Sequence, residues 1–248
     1  MKISILTQFP EMFEPVLGLS IIGRARENNI LDIDLINIRD FSKDKHLKTD
    51  DTPFGGGAGM VMLCQPAFDA LKSIDAKNKK CIYMSPRGQV LSQSIIESLA
   101  KEDELVILCG HYEGVDERIL KAFDMTEVSI GDYILTGGEL AAMVLTDAVS
   151  RLIPGVLGSA ESLFEESIYS GLLEYPQYTK PREYEGLEVP ELLTNGNHRL
   201  IHEWQWEQSL RLTKKRRPDL FGKYLESIKG KKLSKSERKI LDAVLSEE

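Results

Sequence analysis

Short apolar runs alternate with stretches of helical spacing over roughly the first 150 residues, an alternation that restricts this part of the chain to a layered α/β fold. Lys2 to Thr7 reads as a strand, and Glu11 to Asn28 then places Met12, Val16, Leu19, Ile22 and Ala25 at helical spacing. Leu31 to Ile38 (LDIDLINI) alternates again, which completes strand, helix, strand. Gln65 to Ala76 reads as helix, Cys81 to Met84 as strand, SPRGQ (Ser85 to Gln89) as a turn, and Ser92 to Lys101 as a helix with Ile95, Ile96 and Leu99 inward. Leu105 to Cys109 and Val128 to Ile130 are further strands. After Gly138, ELAAMVLTDAVSRLI is a helix stopped by Pro154 and Gly155.

The segment from Leu105 to Met143 concentrates the chemistry. Its two strands end in Gly110 and Gly131, and around them lie Glu113, Asp116, Glu117, Arg118, Asp132 and Glu139, with Tyr112 and Tyr133. Ligands of open parallel sheets sit outside the carboxyl ends of strands, so this is either a ligand site or a set of ordinary polar loops. A second glycine-rich stretch, TDDTPFGGGAGM, holds Gly55, Gly56, Gly57 and Gly59. Such a run either forms a flexible surface loop or brings backbone close to a ligand. It lacks the Gly-Lys-Ser/Thr of a phosphate-binding P-loop and the spacing of a dinucleotide fingerprint.

Bulk composition narrows the classes further. Hydrophobic residues make up 42% and charged residues 28%, as in an ordinary globular protein. No apolar run approaches the ~20 residues of a membrane span, and MKISILTQF reads as a strand rather than a signal peptide, so a cytoplasmic protein is expected. Cys64, Cys81 and Cys109 are odd in number and lack CxxC pairing, which favours reduced, buried thiols. His198 and His202 stand four apart in HRLIH without a third ligand, so no metal site is expected. The net charge of −8 hides an asymmetry: from Asn195 onward there are 13 Lys and Arg against 8 Asp and Glu, and before it 18 against 31. A basic tail on an acidic body is either a solvated helical face or a surface for a polyanion. Leu157 to Leu193 shows no period and is expected to be a linker that orders on binding. The tail beyond Asn197 reads as helical, with KKRRP (Lys214 to Pro218) closing one helix.

Several strings taken together, DDTPFGGGAGM, SPRGQ, CGHYEGVDERI, SIGDYILTGGELAAM, RLIPGVLG, YPQYTKPREYEG, LLTNGNH and RRPDL, closely resemble the bacterial tRNA (guanine-N1)-methyltransferase family, in order and over nearly the full chain. The resemblance implies a SPOUT-class α/β fold, with a parallel sheet carrying a deep trefoil knot and a small all-helical carboxyl-terminal domain. The implied organisation is a knotted domain over 1–156, a linker over 157–194 and a helical tRNA-binding domain over 195–248. The implied activity is S-adenosylmethionine-dependent methylation at N1 of guanosine 37, in tRNA bearing guanosine at positions 36 and 37, by a homodimer with its active site at the subunit interface. For the cofactor the resemblance implies Tyr83, Met84, Ser85, Pro86, Gly110, Tyr112, Glu113, Ser129, Ile130, Gly131, Asp132, Tyr133, Leu135, Gly137 and Gly138. For catalysis it implies Arg151 beside the guanine oxygen and a carboxylate base at Glu166, with Glu165 the neighbouring alternative.

Candidates for RNA contact are His46, Asp50, Asp51, Gly55, Gly56, Gly57, Glu113, Arg118, Lys214, Lys215, Arg216 and Arg217. Family members also use magnesium during proton transfer, although the sequence shows no metal motif. Three positions depart from the family pattern. Glu166-Ser167 stands where members carry Asp-Ser, Ala141 where they usually carry proline, and Gln205 where arginine is common. The extra methylene of Glu166 bears on catalysis, because a shift of ~1 Å at a reacting group can cost about 10²-fold in rate. The alternative to an active enzyme is therefore a catalytically impaired SPOUT protein that still binds tRNA or S-adenosylmethionine.

Overall fold

The structure is a computed structural model that describes residues 1–158 and 170–247. The chain divides into two compact units, Met1–Gly158 and Ser159–Glu248. In the first, β1 (Lys2–Thr7) is followed by the helices α1 (Glu14–Leu17) and α2 (Ser20–Glu27) and by β2 (Asp32–Asn37). The short strands β3 (Asp50–Asp51) and β4 (Val61–Met62) pair antiparallel across the glycine-rich stretch. Next come α3 (Cys64–Ser73), β5 (Lys80–Val90), α4 (Gln93–Leu99), β6 (Glu104–Cys109), α5 (Glu117–Ala122), β7 (Thr126–Ser129) and α6 (Glu139–Ser150).

Five strands form one sheet in the order β2-β1-β6-β5-β7, and every pair in it is parallel. Period-two alternation sends successive side chains to opposite faces. Ile3, Ile5, Ile82, Met84, Leu105 and Ile107 join one core with Phe13, Leu17, Leu99 and the inner side of α6. Leu6, Cys81, Tyr83, Val106 and Leu108 join the other, against α3 and α5. With both faces covered, β6 has no polar side and reads as the unbroken run LVILC. Each such aliphatic residue, buried fully, contributes roughly 1.5–3 kcal/mol.

Two local readings of the sequence are corrected. The Glu11 to Asn28 stretch is not one helix. It breaks at Gly18–Ser20, where Ser20 adopts φ +55°, and Met12, Val16 and Leu19 are exposed while Phe13 and Leu17 fill the core. SPRGQ is not a turn between elements either. It is a bulge within β5, after which pairing with β7 resumes, so that Met84 and Gln89 both register against Val128. Gly88 permits the return: a Cβ there would lie 2.4 Å from the Glu127 carbonyl carbon and the Val128 nitrogen.

The second unit contains a two-residue hairpin between β8 (Glu183–Tyr184) and β9 (Leu187–Glu188), turned by Glu185 and Gly186 at positive φ. Three helices follow, α7 (His198–Arg216), α8 (Pro218–Ile228) and α9 (Lys235–Ser246). Asn197 caps α7 by accepting from the Leu200 N–H, Pro218 opens α8, and Ser234 with Glu237 forms a capping box on α9. Leu172, Leu210, Phe221 and Val244 make the core of this unit, flanked by Trp206, whose Nε1 donates to the Tyr224 hydroxyl at 3.0 Å.

Candidate functional site

Because β6, β5 and β7 are neighbours in the sheet, the segments leaving their carboxyl ends converge. Between them lies a cavity of about 300 Å³. Its wall takes Tyr83 to Arg87 from β5, Gly110 to Val115 from beyond β6, and Val128 to Gly131 with Tyr133 to Gly138 from β7 and the approach to α6. Of the cofactor residues implied by resemblance, all but Asp132 line this single cavity. Residues of the wall that sequence reasoning missed include Arg87, His111, Gly114, Val115, Ile134 and Thr136. They sit between or directly after expected ones in the chain, so continuity of a lining loop was the available signal.

Small residues make the wall close-fitting. A Cβ on Gly110 would stand 2.6 Å from the Tyr83 hydroxyl, and one on Gly138 would stand 2.9 Å from both Cys109 Cα and the Gly110 nitrogen. The Gly138 N–H donates to the Gly110 carbonyl at 2.8 Å, tying the start of α6 to the end of β6. Burial, and then the neighbouring Glu127, raise the Tyr83 phenol above its ordinary value, so it is a neutral hydroxyl at physiological pH. Burial likewise pushes the Cys109 thiol well up. At the rim Arg87 bridges Glu127 by two hydrogen bonds of 3.1 and 3.0 Å and reaches Glu117 at 3.4 Å.

The glycine-rich loop abuts the same cavity wall. Glu113 N–H donates to Met60 C=O and Met62 N–H to Gly114 C=O, both at 2.9 Å, and a Cβ on Gly59 would strike the Glu113 side chain. Gly55, Gly56 and Gly57 all adopt positive φ, and a Cβ on Gly55 or Gly56 would meet open space. Glycine is needed there for backbone shape, leaving an uncovered loop beside Phe54. His46 is exposed, and Asp50 is half-buried in β3. Arg118 grips Asp116 with two hydrogen bonds of 2.9 and 2.6 Å, and this guanidinium holds the Asp116 carboxyl below its usual range.

Arg151 is the half-buried residue that ends α6, its N–H donating to Asp147 C=O at 3.1 Å. Glu165 and Glu166 lie outside the described residues. In the second unit Lys214 points back at the end of α9, donating to Val244 C=O at 2.8 Å and to the carbonyls of Leu245 and Glu247. Arg217 pairs with Asp219 at 2.9 and 2.7 Å, which lowers the Asp219 carboxyl to about 2. Lys215 and Arg216 are exposed. All three cysteines are free thiols. Among the described residues no group of three or more His, Cys, Asp or Glu side chains could hold a metal ion, and no helix is long and apolar enough to cross a membrane.

A parallel sheet covered on both faces, with a glycine-edged cavity spanning the carboxyl ends of three adjacent strands, defines the class of α/β proteins, which commonly hold small ligands at that place in the sheet. The family model of tRNA (Guanine-1)-methyltransferase TrmD matches residues 1–223. The chain belongs to this family. Similar proteins named tRNA (guanine-N(1)-)-methyltransferase include one from Ruminiclostridium cellulolyticum, 57% identical over 226 residues, covering 90% of this chain and 97% of the relative. Another, from Clostridium perfringens strain 13, is 55% identical over 242 residues, covering 97% and 99%. A third, from Clostridium tetani, is 53% identical over 237 residues, covering 95% and 98%.

Proposed function

We propose that this chain methylates N1 of guanosine 37 in tRNA, taking the methyl group from S-adenosylmethionine held in the cavity across β6, β5 and β7. The observation that carries the reading is the convergence of three separate loops, implied as cofactor-binding by family resemblance, on one cavity of about 300 Å³. That volume is at the lower end of small-molecule sites, which run from ~300 to ~1,000 Å³. The wall fits the donor. Backbone of Gly110, Gly137 and Gly138 can approach an adenosyl group closely, Tyr83 is neutral, and Glu113 lines the same cavity, an acidic group that suits a ligand bearing an ammonium and a sulfonium.

When bound, the cofactor supplies an electrophilic methyl group on a sulfonium. The remaining work falls to the chain. N1 of guanine carries a weakly acidic proton, and its removal by a positioned carboxylate contributes typically ~10²- to 10⁴-fold. Glu166 takes that role by its place in the sequence, receiving the N1 proton as N1 forms its bond to the methyl carbon. Arg151 stabilises the negative charge that grows on O6. Among the described residues no cluster of His, Cys, Asp or Glu could hold a magnesium ion.

The reading includes a deep trefoil knot, and the hydrogen bonds from Gly138 N–H to Gly110 C=O and from Leu91 N–H to Ser129 C=O, 2.8 Å each, are the close backbone ties between the segments it would bring together. The reading also takes the protein as a cytoplasmic homodimer with residues 157–194 as linker and 195–248 as the tRNA-binding part. For RNA, exposed Lys215 and Arg216 offer phosphate contacts. Arg118 is exposed beside the cavity and, held in place by its two hydrogen bonds to Asp116, is a further candidate for RNA contact.

The test is methyl transfer to tRNA bearing guanosine at positions 36 and 37, with Glu166→Gln and Arg151→Ala beside the parent. Transfer to N1 of guanosine 37 is expected from the parent, with both variants losing at least about 10²-fold in kcat. A parent that binds both ligands without transferring methyl is instead the impaired binding protein.

A further inference from the structure

We infer that Thr7, His111 and Glu139 form a positioning unit that holds the Gly137–Gly138 turn in place as one wall of the methyl-donor cavity. The inference rests on the assignment of that cavity given above. Glu139 is 2% exposed, a burial that a carboxyl group tolerates only with hydrogen-bond partners. It has one on each oxygen: Thr7 Oγ1 donates to Oε1 at 2.7 Å, and His111 Nε2 lies 2.8 Å from Oε2. Three segments far apart in the chain are thereby joined: the end of β1, the exit of β6 and the first residue of α6.

Geometry around the turn shows what the joint restrains. Gly138 N–H donates to Gly110 C=O, and Gly137 forms an isolated antiparallel bridge with His111. A Cβ on Gly137 would stand 2.3 Å from His111 Nε2 and 2.5 Å from Glu139 Oε2, so the paired side chains fill the volume beside the turn. His111 is itself braced by its N–H to Met62 Sδ at 3.2 Å and by the Phe9 ring, 4.9 Å away and tilted by 56°.

Behind the pair is a second cavity of about 170 Å³, lined by Phe9, Met12 and Leu140 with members of the unit. His111, Thr136 and Gly137 line both cavities, so the pair stands as a partition between them. Without it the turn can relax into the smaller space, and the larger cavity loses its wall. Thr7 and Glu139 do not line the donor cavity, and they act on it through Gly137, Gly138 and His111. Glu139 also places an acidic group in the first turn of α6, whose N-cap Gly138 has no side chain to offer.

Thr7→Val is the discriminating change, because valine keeps the shape and suits a strand while removing the hydroxyl that donates to Glu139 Oε1 and accepts from the Phe9 N–H at 2.9 Å. Thr7→Ser restores that hydroxyl. The readouts are S-adenosylmethionine affinity by calorimetry, separate KM values for cofactor and tRNA, kcat and melting temperature. Thr7→Val is expected to weaken cofactor affinity about 5- to 20-fold, as a buried carboxyl group loses a donor, with the KM for tRNA within about twofold and Thr7→Ser near the parent. His111→Phe, which keeps the ring against Phe9, reports the same selective loss if Thr7→Val does not fold. The inference is overturned if the parent binds cofactor and these variants bind it equally well, or if cofactor and tRNA suffer alike. Failure of the parent to bind cofactor removes the assignment of the cavity itself, which keeps the two failures distinct.

Discussion

Gly138→Ala tests the claim that close backbone approach builds the cavity wall. The residue sits at φ −80° and ψ −8°, a conformation alanine adopts freely, so backbone strain contributes nothing. What the added methyl group meets is main chain: Cys109 Cα and the Gly110 nitrogen at 2.9 Å, and the Cys109 carbonyl carbon at 3.3 Å. Those atoms belong to the last residue of β6, paired to β5 through Met84, and to the residue that follows it, so main chain rather than a flexible side chain would have to shift. Overpacking of this kind costs about 1–3 kcal/mol, and stretching the bond from Gly138 N–H to Gly110 C=O adds roughly 0.5–1.5. A combined loss near 3 kcal/mol lowers the melting temperature by about 6–12 °C in a chain of this size.

The assay is thermal unfolding with and without S-adenosylmethionine, together with cofactor titration. Gly222→Ala is the control, since a Cβ there meets nothing within 4 Å in α8, and it should stabilise by roughly 0.5–1 kcal/mol. A Gly138→Ala protein that melts within about 1 °C of the parent and binds cofactor equally refutes the reasoning.

Two further predictions concern single groups. Burial raises the Cys81 thiol from 9.0 to about 11, so the unfolded chain gives up this proton first. Its contribution to stability is full below about pH 9 and is lost as pH rises through about 11. Urea unfolding across that interval should show a shallower decline for Cys81→Ala than for the parent, and coincident slopes would contradict the assignment. For Lys214→Ala, loss of the contacts to Val244, Leu245 and Glu247 should speed amide exchange at the end of α9. The salt dependence of tRNA binding should stay as in the parent, whereas a lost phosphate contact would reduce its slope by about 1.

Much of the cavity lining was legible because its parts are contiguous strings. CGHYEGVDERI and SIGDYILTGGELAAM each carry a strand end, a loop and a helix start, and the residues they imply line one cavity apart from Asp132. Lys214 shows where a string is insufficient. In KKRRP it reads as one of four equivalent cations, yet α9 folds back so that its ammonium group meets three carbonyls. Arg217, exposed like Lys215 and Arg216, differs from them in pairing with Asp219 two residues on.

The sequence by itself determined the alternation of strand and helix, both glycine-bearing loops and the helical tail, because these depend on near neighbours: period two in LVILC, period 3.6 in the helix after Gly138, and glycine at the strand ends. Only the tertiary structure decided the break at Ser20, the return of β5 after its bulge, and the joining of Thr7, His111 and Glu139. Met12, Val16 and Leu19 have helical spacing, but the core takes Phe13 and Leu17 instead. The bond between Thr7 and Glu139 spans 132 positions and exists because β1 and β6 are neighbours in the sheet. Such contacts arise when distant segments close on one another, and no local preference in either segment records the other.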